Sequence, residues 1–170
     1  MSFSCENIRL FIISEQKKQA QWLENWIHGY PAVITQTVNA QQDITDWQTH
    51  IQAAYQTIDE DEKIMLVAHD IGANAAVCWY YQTSILTHKR IAGMILVSPN
   101  HQHNSCQHHT FQMTRFQHPT AVIMLPENDK QTLLWAEQQT KQWQAKLFIQ
   151  QPTRNWSWGM QLMQEMLFNP

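Results

Sequence analysis

Residues 64–81 read IMLVAHDIGANAAVCWYY, and the fold is decided there. Ile64 to Ala68 is an unbroken apolar run of strand length, the pattern of a strand covered on both faces in a parallel sheet. Ala73 to Tyr81 is apolar with no polar stripe, which reads as a buried helix. Only His69, Asp70, Ile71 and Gly72 separate the two, so the chain must bend sharply from strand into helix. Outward from this unit the alternation repeats. IRLFIIS (8–14) and AVITQT (32–37) predict strands, and Trp22, Leu23, Trp26 and Ile27 fall at helical spacing between them. Ile44, Trp47, Ile51, Ala54, Tyr55 and Ile58 mark a second helix, opening near Asp43 as its cap. IAGMILVS (91–98), TAVIML (120–125) and KLFIQ (146–150) predict further strands, with helices over Leu133–Trp143 and Gly159–Phe168. Such alternation predicts a three-layer α/β domain with a mostly parallel sheet of about five or six strands.

The 170 residues and 20.1 kDa suit one domain, expected to span 1–170. Apolar residues make up 44%, enough for a core, while the mean hydropathy of −0.45 reflects 23 Gln and 9 His rather than charge. A net charge of −3 leaves no basic field to neutralise phosphates, so nucleic acid is not an expected partner. Without an apolar run near the 18 or so residues a spanning helix needs, or a leader-like N-terminus, no membrane association and a cytoplasmic location are expected. Cys5, Cys78 and Cys106, odd in number and widely spaced, read as reduced thiols, with Cys78 as inert filling.

Functional groups of such a sheet collect beyond the carboxyl ends of its strands. The segments there are Ser14–Gln19, Val38–Ala40, His69–Gly72, Ser98–His103, Pro126–Asp129 and Pro152–Asn155. Among them, Ala68-His69-Asp70-Ile71-Gly72 has the placement and spacing of the G-x-S-x-G elbow, in which a strained turn exposes the middle residue and demands small neighbours. Here Asp70 holds the middle position.

At this point the chain resembles the small single-domain serine hydrolases similar to retinoblastoma-binding protein 9, within the α/β-hydrolase superfamily. The resemblance is carried by IMLVAHDIGANAAVCWYY, by the pair Trp22 and Trp26, and by Asp46-Trp47 opening the helix before the elbow strand. IAGMILVSP (91–99), VIMLPEND (122–129) and WSWGMQLM (156–163) continue it in order over nearly the whole chain. It implies a three-layer α/β/α hydrolase-like (Rossmann-like) domain, with Asp129 at the position of the triad acid.

The departures fall where catalysis would sit. The family's Gly-rich oxyanion loop is replaced by Ser14-Glu15-Gln16-Lys17-Lys18, the nucleophilic Ser by Asp70, and the Gly-His loop after the last strand has no counterpart between Gln150 and Trp156. Triad members act as a unit, and losing one costs orders of magnitude in rate. The resemblance with these departures predicts a non-catalytic binding or regulatory relative, without cofactor, whose partner is a small molecule or a protein. Its pocket is expected around Ser14, Glu15, His69, Ile71, Gly72, Ser98 and Asn100.

Two other readings stay open. Epoxide hydrolases and haloalkane dehalogenases resemble this segment with an Asp nucleophile; Asp70 would then need a base, to come from the loop after Ser98. That loop carries His101, His103, Cys106, His108 and His109, and His101, His103 and Cys106 could ligate a metal with nearby carboxylates, although the spacing matches no diagnostic pattern. His69 reads as a packing residue pointing away from the tip, and Lys17 and Lys18 lie close enough to pair with Asp70. The dipole of the following helix favours an ionised Asp70.

Overall fold

Strands and helices alternate as the periodicity predicts, because each apolar run is bounded by polar or turn-forming residues that end it. A computed structural model of the chain describes residues 8–16, 20–30, 32–152, 159, 161–162 and 164–166. The elements are β1 (Ile8–Glu15), α1 (Gln21–Gly29), β2 (Val33–Val38), α2 (Ile44–Tyr55), β3 (Lys63–His69), α3 (Ile71–Gln82), α4 (Ile85–Arg90), β4 (Ile91–Val97), α5 (His109–Gln112), β5 (Thr120–Met124), α6 (Lys130–Trp143) and β6 (Lys146–Ile149). The described residues between 159 and 166 are helical and close the fold. Two elements are additions to the predicted set: α4, whose exposed Ile85 and Leu86 break the amphipathic pattern, and the short helical turns inside the His-rich loop.

Six parallel strands form one sheet in the order β2-β1-β3-β4-β5-β6. The chain winds outward in both directions from the β1/β3 pair, so the carboxyl ends of these strands, Glu15 and His69, flank the crevice where the winding reverses. One face packs against α2, α3, α5 and α6 through Trp47, Trp79, Phe111 and Trp143. The other packs against α1 and the closing helix through Trp22, Trp26, Leu162 and Met166. This is the three-layer arrangement of the α/β hydrolases. Trp26, Trp47, Trp79 and Trp143 are fully buried, and truncating a buried Trp costs about 3–5 kcal/mol.

Helix α3 is buried on all sides from Ile71 to Tyr80, as its uniformly apolar sequence requires. Its start presses on β1. A Cβ on Gly72 would stand 2.8 Å from the Ser14 Cα and collide with the Ile13 carbonyl, so the elbow's closing glycine is fixed by contact with the strand. Gly159 similarly faces Trp26, whose Cε2 would lie 2.6 Å from an added Cβ. At α2 the predicted cap is present, with Asp43 accepting from the Asp46 amide at 2.8 Å. Among the described residues no helix is long and apolar enough to cross a membrane.

Candidate functional site

The bend between β3 and α3 places Asp70 at φ 54°, ψ −125°. A non-glycine residue in this region is strained and persists only where its surroundings impose it. Here the Asp70 amide donates to the Val97 carbonyl at 3.0 Å, and its carbonyl accepts from the Ala73 amide at 2.9 Å, so the backbone is pinned from β4 and from α3 at once. The Asp70 side chain makes no cap bond to the helix it precedes. Geometrically this is the elbow anticipated from Ala68-His69-Asp70-Ile71-Gly72, with a carboxylate at the tip.

The neighbours divide into floor and rim. Ser14 (3% exposed), Ile71 and Gly72 are buried and form packing beneath the bend, while Glu15, His69, Ser98 and Asn100 are half-buried. His69 turns to the α1 face and meets Trp22 edge-on at 5.4 Å. Its Nδ1 is buried with no hydrogen-bond partner among the described residues, and burial pushes its pKa down, opposed by the Asp70 charge. Ser98 also adopts a positive φ of 48°, and its buried Oγ is likewise unpartnered among the described residues. Lys17, Lys18 and residues 153–158, where the resemblance led us to expect a shortened loop after β6 and the start of the Trp-x-x-Gly segment, lie outside the described residues, as does Cys5.

Asp129 stands at the carboxyl end of β5 as the resemblance implies, but its side chain has a local task. It caps α6, accepting from the Thr132 amide at 2.7 Å. That bond and one from the Thr132 side chain hold the carboxyl below its usual range, with a smaller contribution from the charge of His101. His101 in turn lies against the Trp135 ring at 5.4 Å. The loop after Ser98 therefore brings one imidazole into electrostatic reach of Asp129.

The remaining residues of that loop are held by each other. His103 Nδ1 accepts from the Ser105 amide at 3.1 Å and sits 2.9 Å from its hydroxyl; its Nε2 lies 2.8 Å from the Ala40 carbonyl. Since Nδ1 must be an acceptor, Nε2 carries the proton and donates to Ala40. His108 repeats the pattern two residues before Thr110, with Nδ1 3.3 Å from the Thr110 amide and 3.0 Å from its hydroxyl. Each histidine thus serves as an N-cap, of the 3-10 turn Asn104–Gln107 and of α5 respectively. Cys106 is buried, donates to the Asn100 carbonyl at 3.1 Å, and burial pushes its thiol up to about 12. The structure does not bring His101, His103 and Cys106 together as ligands, and no metal-holding group of His, Cys, Asp and Glu occurs among the described residues.

One organising residue was not singled out in the sequence. Asn74, fully buried on α3, donates through Nδ2 to the Asn100 carbonyl (3.0 Å) and Ser105 Oγ (2.9 Å), and accepts from the Asn100 amide (2.8 Å). Through Ser105 and His103 this network runs on to Ala40, tying the elbow helix to the loops after β4 and β2. The signal was available: Asn74 is the single polar side chain in the apolar stretch Ala73 to Cys78, one turn after Asp70.

The strained strand-to-helix bend at the centre of a parallel sheet is where the chain meets known proteins. A family model described as serine hydrolase matches residues 14–155. The chain belongs to the serine hydrolase family. Among solved structures, a protein described as a YdeN-like hydrolase from Pectobacterium atrosepticum is similar at a TM-score of 0.75 and 17% identity, over 96% of this chain and 92% of that one. Est1E from Butyrivibrio proteoclasticus is similar at 0.66 and 11% identity, over 96% and 88%. The ydeN gene product of B. subtilis is similar at 0.57 and 20% identity, over 84% of each chain. At these identities the likeness is one of fold. No curated protein sequence matches the chain significantly.

Proposed function

We propose that this serine hydrolase family member, with Asp70 in place of the nucleophilic serine, is a non-catalytic binding or regulatory protein related to the small hydrolases similar to retinoblastoma-binding protein 9. The observation that carries the reading is the elbow itself: the strained backbone at Asp70 is kept although the residue it presents is a carboxylate. Strain of this kind is retained where a side chain must be displayed. Asp129 supports the reading from the other side, because its carboxylate accepts from the Thr132 amide as the cap of α6 and no described imidazole hydrogen-bonds to it. The expected ligand is a small molecule or a protein segment that meets the Asp70 carboxylate, in the cytoplasm and without a cofactor.

A second reading is favoured by the position of His101. A carboxylate nucleophile at Asp70 would attack the carbon of an epoxide or haloalkane, displacing the ring oxygen or the halide to leave an ester intermediate, or the carbonyl of a p-nitrophenyl ester, displacing p-nitrophenolate to leave an anhydride; water activated by His101 and Asp129 would then hydrolyse it. Turnover assays on p-nitrophenyl esters, an epoxide and a haloalkane separate the two. No turnover by the wild-type chain, and no serine labelling by a fluorophosphonate, is the expected outcome; turnover that Asp70→Asn abolishes while circular dichroism is unchanged establishes the second reading instead.

A further inference from the structure

The sheet ends on two edge strands, β2 and β6, and the chain treats them differently. An edge presents unpaired amides and carbonyls to any chain that reaches it, and proteins blunt it with short strands, lysines, prolines or bulges. β6 has two of these devices: it is four residues long and opens on the exposed Lys146. β2 has none. Val33–Val38 reads VITQTV, six residues without a charge or a proline, all but Gln36 β-branched. Its register with β1 runs from Leu10↔Val33 to Glu15↔Val38 without a bulge.

Which peptide groups face outward follows from that register. The Leu10 amide donates to the Ala32 carbonyl and the Gln16 amide to the Val38 carbonyl, both at 2.9 Å, so the even-numbered residues of β2 bond to β1. The amides and carbonyls of Val33, Thr35 and Thr37 therefore point away from the sheet. Among the described residues no strand pairs with them. Thr35 and Thr37 are exposed, and the Thr37 carbonyl accepts from the Gln36 side-chain amide at 2.8 Å. That amide stands where the N–H of a neighbouring strand would donate.

We propose that β2 is a self-association surface, on which the β2 strands of two copies of this chain pair antiparallel about a two-fold axis at Thr35 and join two six-stranded sheets into one. Symmetry selects the register. With Thr35 opposite its own copy, Val33 falls opposite Thr37 of the second copy, and each opposed pair exchanges two N–H···O bonds. Every outward-facing residue is then used, whereas a slip of two residues sets Val33 or Thr37 against positions beyond the strand. The Gln36 amide leaves the Thr37 carbonyl as the Val33 amide of the second copy takes its place. A second copy suits this edge because an uncharged strand meets itself without repulsion, and Thr opposite Thr is a favourable cross-strand pair. Antiparallel pairing puts the two Asp70 elbows at opposite edges of the joined sheet, so neither covers the other.

The test is sedimentation velocity of the full chain from micromolar to millimolar concentration, alongside amide hydrogen exchange by NMR. A concentration-dependent dimer is expected, with the Val33, Thr35 and Thr37 amides exchanging more slowly as it forms. Thr35→Lys sets two like charges against each other at the axis and should weaken the dimer about tenfold or more. Thr35→Glu should do the same, and an equimolar mixture of the two variants should restore association as a heterodimer, because opposite charges then face each other. The proposal is overturned by a chain that stays monomeric at millimolar concentration, whether its edge amides exchange freely or are protected by another segment of the same chain. It is equally overturned by a dimer that Thr35→Lys leaves intact, which would place the interface elsewhere, or that the mixture fails to restore. The exchange readout on the wild-type chain stands even where a variant fails to fold.

Discussion

The elbow and the loop after β4 treat their chemistry-bearing residues in opposite ways. At Asp70 the side chain carries no structural load: the backbone is pinned by Val97 and Ala73, and the carboxylate is presented beyond the sheet. In the loop, residue types that suggest metal or base chemistry are spent on structure, with His103 and His108 capping short helices and Cys106 buried against Asn100. A histidine whose Nδ1 accepts an amide and whose Nε2 donates to a carbonyl has no lone pair left for a ligand. Composition alone cannot separate these cases, because what differs is where each nitrogen's partner comes from.

The comparison can be broken most forcefully at Gly72. Gly72→Val puts a branched side chain into the Ile13 carbonyl and should destabilise by at least the upper end of the roughly 1–3 kcal/mol of ordinary overpacking, read as lost soluble protein or a large fall in Tm. If the fold tolerates it, the elbow is not held by β1. Next in size is Asn74→Leu, which strips partners from both polar groups of Asn100 and from Ser105. It should cost about 2 kcal/mol in denaturant unfolding and speed amide exchange across residues 98–107 ahead of the rest of the chain.

His103→Phe keeps a ring against Trp47, which it now meets at 5.3 Å, and removes only the cap and the bond to Ala40. A loss of about 1 kcal/mol is expected, with nickel and zinc affinity unchanged by titration; a sharp drop in metal affinity would return the loop to chemistry. The smallest effect is electrostatic. Burial lowers the folded-state pKa of His69, so the unfolded chain binds the proton more readily and the stability from a neutral His69 is complete above the unfolded value near 6.5. It is lost as the pH falls below that and levels off once the folded-state pKa is passed. His69→Phe should flatten this part of the Tm-versus-pH curve, and an unaltered curve would mean that His69 is not buried as described.

Strand positions were legible to within a residue or two, since a parallel sheet buries both faces and leaves long apolar runs such as Ile64–Ala68 and Thr120–Met124. Helix α4 was not, because Ile85 and Leu86 point outward and give no amphipathic signal. In the site, Asp70 was singled out from the spacing of the bend and Asp129 from the family resemblance, but the cap that engages Asp129 depends on Thr132 folding back onto it. The network around Asn74 joins positions 26 and 31 residues apart, a separation at which local periodicity carries no information.

By itself the sequence determined the layer order, the bend and the carboxylate at its tip, because hydrophobic period and the need for small residues at a tight turn are local properties written residue by residue. Which polar atoms are spoken for was decided only in three dimensions. The partners of Asn74, His103 and Cys106 come from other loops and strands, and a hydrogen bond exists only once the fold has brought its two ends together.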